Sequence, residues 1–434
     1  MSSTPPHPDN TLEKTLRYRW LIFAILSGGY ILVYFHRLAP AVVAVDMMHD
    51  LKADGTLLGL LGSAYFYPYA MMQLPAGLLA DSWGPRRTIT LFSLIASFGA
   101  LILGLAQTAT IAIIGRSLVG LGVAMLFVPT MKVLIEWFTP REFARMTGIL
   151  LAMGGVGSLI ATSPLALLTE WLGWRSAFLI VASLTLMLAV LVWIIVRDRP
   201  ADFSWQGPAE SIYRRQTAAD LAAGVRIILA NRYFWPLAAW FFFHLSIFFA
   251  FGGLWGGPFL QEVYGFDRTT SGQILSMLAV GLIIGAPLQS WLSERLDRRR
   301  KPVLILSSLM TVGMTALLAF ATADLSLLAL HLLCLLLGVF AAASVVIGFA
   351  ATKELFDVRI AGTAIGLINL FPFAGGAILQ PLLGTILQRS GRTADGFTLA
   401  GYQNAFALLF IIALIALLSS LLIKETRNRY PGQN

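Results

Sequence analysis

Residues 77–87 read Gly77-Leu78-Leu79-Ala80-Asp81-Ser82-Trp83-Gly84-Pro85-Arg86-Arg87, and residues 290–299 read Ser290-Trp291-Leu292-Ser293-Glu294-Arg295-Leu296-Asp297-Arg298-Arg299. Each stretch opens on a small residue, places an acid four positions later, closes on paired arginines and follows a long apolar run. A second pair behaves the same way: Gly173-Trp174-Arg175-Ser176-Ala177-Phe178 and Gly401-Tyr402-Gln403-Asn404-Ala405-Phe406. The spacings, 290 − 77 = 213 and 401 − 173 = 228, describe one duplication whose second copy has a longer loop before its last helix. In a membrane chain such a parallel repeat predicts two like-folded halves about a two-fold axis along the membrane normal.

The bilayer is the solvent for which this chain is built. Its 434 residues are 57% hydrophobic and only 12% charged, with a mean hydropathy of +0.77, too little charge to cover a soluble protein of this length. Apolar runs of about 20 residues recur between short polar breaks, and none shows the period-two alternation of a spanning barrel. The fold class is therefore all-α. Twelve helices are expected near 20–47, 57–80, 88–107, 110–136, 146–170, 174–196, 235–260, 271–293, 303–322, 325–351, 361–388 and 400–423.

The net charge of +9 does not mark a nucleic-acid binder, because its distribution follows the membrane. Roughly 23 of the 31 Lys and Arg fall at the termini or in even-numbered loops, which places both ends in the cytoplasm and the chain in the inner membrane. The expected divisions are a tail over 1–19, a six-helix half over 20–196, a linker over 197–234, a second half over 235–423 and a tail over 424–434. The linker carries Arg197, Arg199, Arg214, Arg215, Arg226 and Arg232, and 220–229 suits a short helix with its aliphatic side in the headgroups. Helix 1 runs too long for a signal-peptide core, so its retention is expected. Cys334 lies inside helix 10, alone, and reads as packing.

On these motifs the chain resembles the major facilitator superfamily over nearly its whole length. The loop after helix 2 matches the family's first signature at Gly77, Asp81, Gly84, Arg86 and Arg87, departing at Ser82 and Pro85. Helix 4 carries the second, Arg116-Ser117-Leu118-Val119-Gly120-Leu121-Gly122-Val123-Ala124. The helix 5 signature of drug/proton antiporters is missing from 157–164. The resemblance implies two bundles that rock about a central site.

A physical reading of the same residues supplies a gate. Asp81 at the end of helix 2 is expected to meet the partially positive start of helix 11 near 361–363, and Glu294 to meet the start of helix 5 near Met146. Arg86, Arg87, Arg295 and Arg298 join this switch, or simply enforce topology. Arg116 is expected to hold backbone of helix 1 or to take part in the switch.

A charge deep in a span is costly, which makes it a functional hypothesis by default. Arg37, Arg116 and Lys132 qualify. Arg37 lies about 26 Å of helical rise beyond Trp20, too deep to snorkel. In a wet cavity its guanidinium would hold a carboxylate or phosphate through two parallel hydrogen bonds, one guanidinium suiting a carboxylate or zwitterion better than a phosphate dianion; the alternative is a structural pair with an acid. Lys132 is a second binding candidate, with a local pair to Glu136 as its alternative. Tyr34, Tyr69 and Gln73 in the first half and His244, Trp255 and Asn369 in the second complete the expected pocket, against packing for the aromatics and a buried neutral imidazole for the histidine. The helix 1 arginine is similar to that of the organophosphate antiporters and the anion/cation symporters. The chain departs from the sugar-phosphate branch in having no arginine in helix 7 and Gln73 where a lysine stands.

The expected function is carriage of a small organic anion, with an amino acid, dipeptide or uncharged metabolite as the alternative solute and a transporter-like sensor as a remote one. The expected partners are this solute and the lipid bilayer; a coupling proton or sodium ion is compatible with the sequence. No cofactor, metal or nucleic acid is expected, and the expected state is a monomer. Gly154-Gly155-Val156-Gly157 lies in an apolar span with no Walker lysine after it, and no nucleophile elbow or His-Glu-x-x-His pair appears, so neither ATP-driven transport nor an enzyme is encoded.

Overall fold

The computed structural model describes residues 8–207, 217–393 and 396–426. These are nearly all helical, apart from one short antiparallel pairing of Arg392–Thr393 with Gly396–Phe397. Helices begin where the sequence offers an acceptor to the first free N–H groups. Asp54, Thr108, Asp267, Ser326 and Thr398 each cap a helix through the side chain, and Thr139 with Glu142 forms a full capping box.

Among the described residues eleven helices are long and apolar enough to span a bilayer: Thr11–Asp50, Pro85–Gly104, Ala109–Trp137, Arg141–Ile160, Ser163–Ile195, Phe234–Glu262, Arg268–Arg295, Lys301–Phe320, Leu327–Leu355, Ile360–Arg389 and Leu399–Leu422. The expected second helix is the twelfth crossing, divided into Gly55–Ser63, Phe66–Met72 and Pro75–Ser82. Pro68 and Pro75 cannot donate to the carbonyls four residues back, which interrupts the bonding, yet Ala64, Tyr65, Gln73 and Leu74 keep right-handed helical dihedrals and the path continues. The reversal between crossings five and six falls at Gly173, whose φ of 76° breaks Ser163–Ile195 in two. Twelve crossings put both termini on one face.

Two expectations at the chain's edges change. The stretch over 1–19 was expected as a tail, but residues 8–19 extend the first helix, Pro8–Asp50. Tertiary contacts hold them: Arg19 forks onto both carboxylate oxygens of Glu142 at 2.8 and 2.9 Å, Thr15 Oγ1 donates to Gln206 O and Tyr18 OH to Ile195 O, each at 2.9 Å. The linker helix forms over Ala218–Ala230, but it turns Gly224 and the buried Ile228 toward Ile360 and Thr363 of crossing eleven rather than toward lipid alone; Ile227 and Leu229 remain exposed. Arg214, Arg215, residues 1–7 and residues 427–434 lie outside the described residues.

The duplication is written into the contacts. In the first half Asp198 accepts from the backbone N of Arg86 at 2.6 Å, where crossing three starts. In the second, Glu425 accepts from the backbone N of Arg300 at 2.8 Å, where crossing nine starts. On the other face, Trp174 Nε1 donates to Asp50 at 3.0 Å, and Tyr402 OH donates to Glu262 at 2.7 Å. Each acid therefore ties the first or last crossing of its half to a matching partner. The first pair of spacings, 425 − 198 = 227 and 300 − 86 = 214, lies within one residue of those of the repeat motifs. Exposed tryptophans, among them Trp20, Trp83, Trp193, Trp235 and Trp291, sit toward the helix ends as an interfacial belt.

Contacts between the halves are unequal at the two faces. On the face away from the termini, Arg268 pairs with Asp46, Thr269 Oγ1 donates to Glu170 at 2.6 Å, and Gly55 N donates to Gln388 at 3.1 Å. Backbone meets backbone there: a β-carbon at Gly59 would lie 2.5 Å from Pro381 Cα, and one at Gly257 would fall inside the Ala41 carbonyl oxygen. Toward the termini, by contrast, Gly77, Gly148 and Gly362 have nothing within 4 Å of such a carbon. The halves are packed tightly on the far face and more loosely toward the termini.

Candidate substrate site

Arg37 sits near the middle of the first helix, 5% exposed, where the two halves meet. Its guanidinium carbon lies 4.5 Å from the ring centre of Tyr34 and 5.3 Å from that of Tyr69, both of the first half. It lies 4.9 Å from Phe373 and 5.6 Å from Phe249, both of the second. Four ring faces stabilise a cation at this depth without neutralising it. Its hydrogen bond runs from Nη2 to Tyr69 OH at 3.2 Å, and Nε is buried without a partner. Among the described residues no carboxylate pairs with Arg37, so the structural ion pair weighed above is not formed. Desolvating a guanidinium this way is expensive unless an anion completes it.

The aromatic cluster bridges the halves. Phe373 lies 4.1 Å from Tyr69 and stacks on Phe249 at 5.3 Å. Beside it Asn369 Nδ2 donates to Gln73 Oε1 at 2.8 Å, joining crossings eleven and two. Crossing seven passes through a π-turn at Phe251–Trp255 just after Phe249, which brings Gly253 toward the Arg37 carbonyl. Arg37, Tyr34, Tyr69, Gln73 and Asn369 are thus gathered in one region.

Three expected pocket residues lie elsewhere. Lys132 donates to Asp81 and to Gly77 O at the terminus-facing end, because the small Gly77 and the acid one turn later leave an anionic slot for it. His244 packs within the second half, stacked on Trp240 at 4.6 Å with Nε2 near Phe340 O and Ser344 Oγ. Trp255 donates to Gln380 O at 2.9 Å against crossing eleven. The polar tips of Lys132 and Trp255 and the Nε2 of His244 have found protein partners, while His244 Nδ1 is buried with none.

The gate residues also differ from expectation in this state. Asp81 holds Lys132 of its own half, and Glu294, Arg295 and Arg298 are exposed. Among the described residues Glu294 has no hydrogen bond or ion pair. Arg86 bonds Trp193 O and lies over that ring, while Arg87 is exposed. Arg116 donates to His36 O at 2.7 Å and lies 5.1 Å from the Tyr65 ring, pinning the turn that presents Arg37.

Phe249, Phe373 and Asp198 did not stand out as a sequence. The repeat could have found the first: the spacing 262 − 50 = 212 that relates Glu262 to Asp50 is also 249 − 37, so Phe249 occupies the position of Arg37 in the second half. Asp198 follows crossing six outside the spans; burial raises its carboxyl above the ordinary range, against the lowering effect of its bond from Arg86 N.

The family model described as Major Facilitator Superfamily matches residues 22–379 and 255–434. The chain is 24% identical over 93% of its length to the probable sulfoacetate transporter SauU of Cupriavidus necator, covering 96% of that protein. It is 23% identical to the hexuronate transporter of Bacillus subtilis, with 91% of this chain and 94% of that one covered. The probable hexose phosphate transport protein of Chlamydia muridarum is also 23% identical, with 94% and 91% covered. Among solved structures, that of the nucleoside transporter NupG superposes with a TM-score of 0.73 at 13% identity, covering 93% of this chain and 98% of that one.

Proposed function

The chain belongs to the major facilitator superfamily, and from that membership we propose that it carries a small organic monoanion, gripped through a carboxylate by Arg37, by alternating access. The observation that carries this reading is a guanidinium at the meeting line of two halves, contacted by rings from both and lacking a carboxylate partner among the described residues. An entering carboxylate would accept two parallel N–H bonds and supply the missing counter-charge, drawing Phe249 and Phe373 with it. The halves would then close around the solute from the loosely packed face and separate at the far one. The printed names of the three relatives, for sulfoacetate, hexuronate and hexose phosphate, favour an organic anion. One charge is favoured over two because Lys132 is engaged by Asp81 and Arg116 by the His36 carbonyl, which leaves Arg37 to neutralise the solute.

The lysine and arginine distribution supports a cytoplasmic placement of both termini in a cell membrane, so the loosely packed face would be the inner one. Both halves lie in one chain, which suits a monomeric carrier. Counterflow in liposomes tests the solute class. Small monocarboxylates are expected to exchange and to compete with one another, with phosphorylated sugars weaker and neutral sugars inactive. Exchange of a neutral sugar or a zwitterionic amino acid at a rate equal to the best carboxylate would contradict the proposal.

A further inference from the structure

A second feature lies on the outside of the bundle. Between crossings three and six, near the terminus-bearing face, a groove of about 710 Å³ opens sideways to the bilayer. That volume is in the range of sites that take a whole small ligand. We infer that this groove holds one anionic phospholipid of the leaflet on the terminus side, its phosphate at Arg87, its ester region at Thr90 and an acyl chain along Leu94.

The order of residues along crossing three carries the assignment. Arg87 stands at the rim, exposed, and among the described residues has no hydrogen bond or ion pair. Its neighbour Arg86 is occupied by Trp193 O, and Asp198 is occupied by the Arg86 backbone, so the nearest acid is already bonded. Thr90, about 4.5 Å deeper along the helix, lines the groove; it is 9% exposed and its hydroxyl has no hydrogen-bond partner. That oxygen is itself buried, so Thr90 forms wall at the depth of the ester region and offers it no donor. Leu94, about 10.5 Å below Arg87, continues the apolar floor toward the bilayer centre. A glycerophospholipid presents phosphate, ester and acyl chain in this same order. Trp83 and Trp193, each 48% exposed, flank the entrance at headgroup level. The charge of the occupant follows from the guanidinium left without a hydrogen bond or ion pair, since a basic pocket between membrane helices on this side selects an anionic headgroup.

Native mass spectrometry of the full-length protein, with phosphatidylglycerol and phosphatidylcholine of matched chains at equal concentration, tests the assignment. The wild type is expected to retain one phosphatidylglycerol with a preference of about five-fold, the share one arginine supplies near a membrane surface. Arg87→Gln should bring the preference close to unity. Thr90→Val, which keeps the shape of the wall, should leave retention and preference unchanged, and Leu94→Trp, which fills the groove, should lower retention with Arg87 intact. Arg141→Ala, at an exposed arginine of the same face outside the groove, should change nothing. Equal retention of the two lipids by the wild type would overturn the assignment. So would an Arg141→Ala loss as large as that of Arg87→Gln, or a Leu94→Trp variant that retains the lipid undiminished.

Discussion

Arg37→Ala should abolish uptake while the protein still inserts, purifies and melts near the wild-type temperature. The guanidinium makes one side-chain hydrogen bond and is otherwise held by ring faces, so its removal leaves no buried acid unpaired among the described residues. What is lost is the grip on the anion. Two charge-assisted hydrogen bonds at about 1.5–3 kcal/mol each amount to a fall in affinity of 100-fold or more. Arg37→Lys keeps the charge but not the planar fork, and should fall between wild type and alanine. Binding by thermal shift and uptake in liposomes, measured on the same preparations, separate this from misfolding. Undiminished uptake by Arg37→Ala would move the site elsewhere.

Gly257→Val should stop transport for a different reason. Gly257 of crossing seven lies on the backbone of Ala41 in crossing one, at the tightly packed face, and no side-chain rotation relieves a β-carbon placed against a carbonyl oxygen. The clash exists only when that face is shut. Overpacking of about 1–3 kcal/mol or more would therefore tilt the equilibrium toward the state open on the far side by roughly ten-fold or beyond. Uptake should collapse while the anion still binds and still raises the melting temperature, because Arg37 remains accessible from one side. Loss of binding together with transport would instead indicate a general packing failure.

The duplication was legible because motifs at the helix ends carry charge and glycine, which stand out against apolar runs. Its contacts, Asp198 with Arg86 and Glu425 with Arg300, recur at the spacings of the motifs themselves. Arg37 was legible for the same reason, as a charge where none is cheap. The second helix was harder: Pro68 and Pro75 stand in the sequence, but apolarity alone reads 57–80 as one uniform rod. Phe249 and Phe373 were invisible as single residues, since an aromatic in an apolar span looks like packing until a cation is found beneath it. His244, Trp255 and Lys132 drew attention as polar groups in spans, and each bonds a partner whose position only the tertiary fold fixes. Residues 8–19 read as a polar tail because their helix is held by long-range bonds such as Arg19 to Glu142 rather than by local pattern.

Alternating access around Arg37 requires the two faces to move in opposite senses when the anion binds. Spin labels at Ser82 and Arg298 report the terminus-bearing face, and labels at Gln107 and Asp324 the other; all four positions are exposed, and Cys334 is replaced by alanine. Double electron–electron resonance in nanodiscs should show the first distance shortening and the second lengthening as a monocarboxylate is added, with no response in Arg37→Ala. Distances that stay fixed, or that change in the same sense at both faces, would contradict the mechanism.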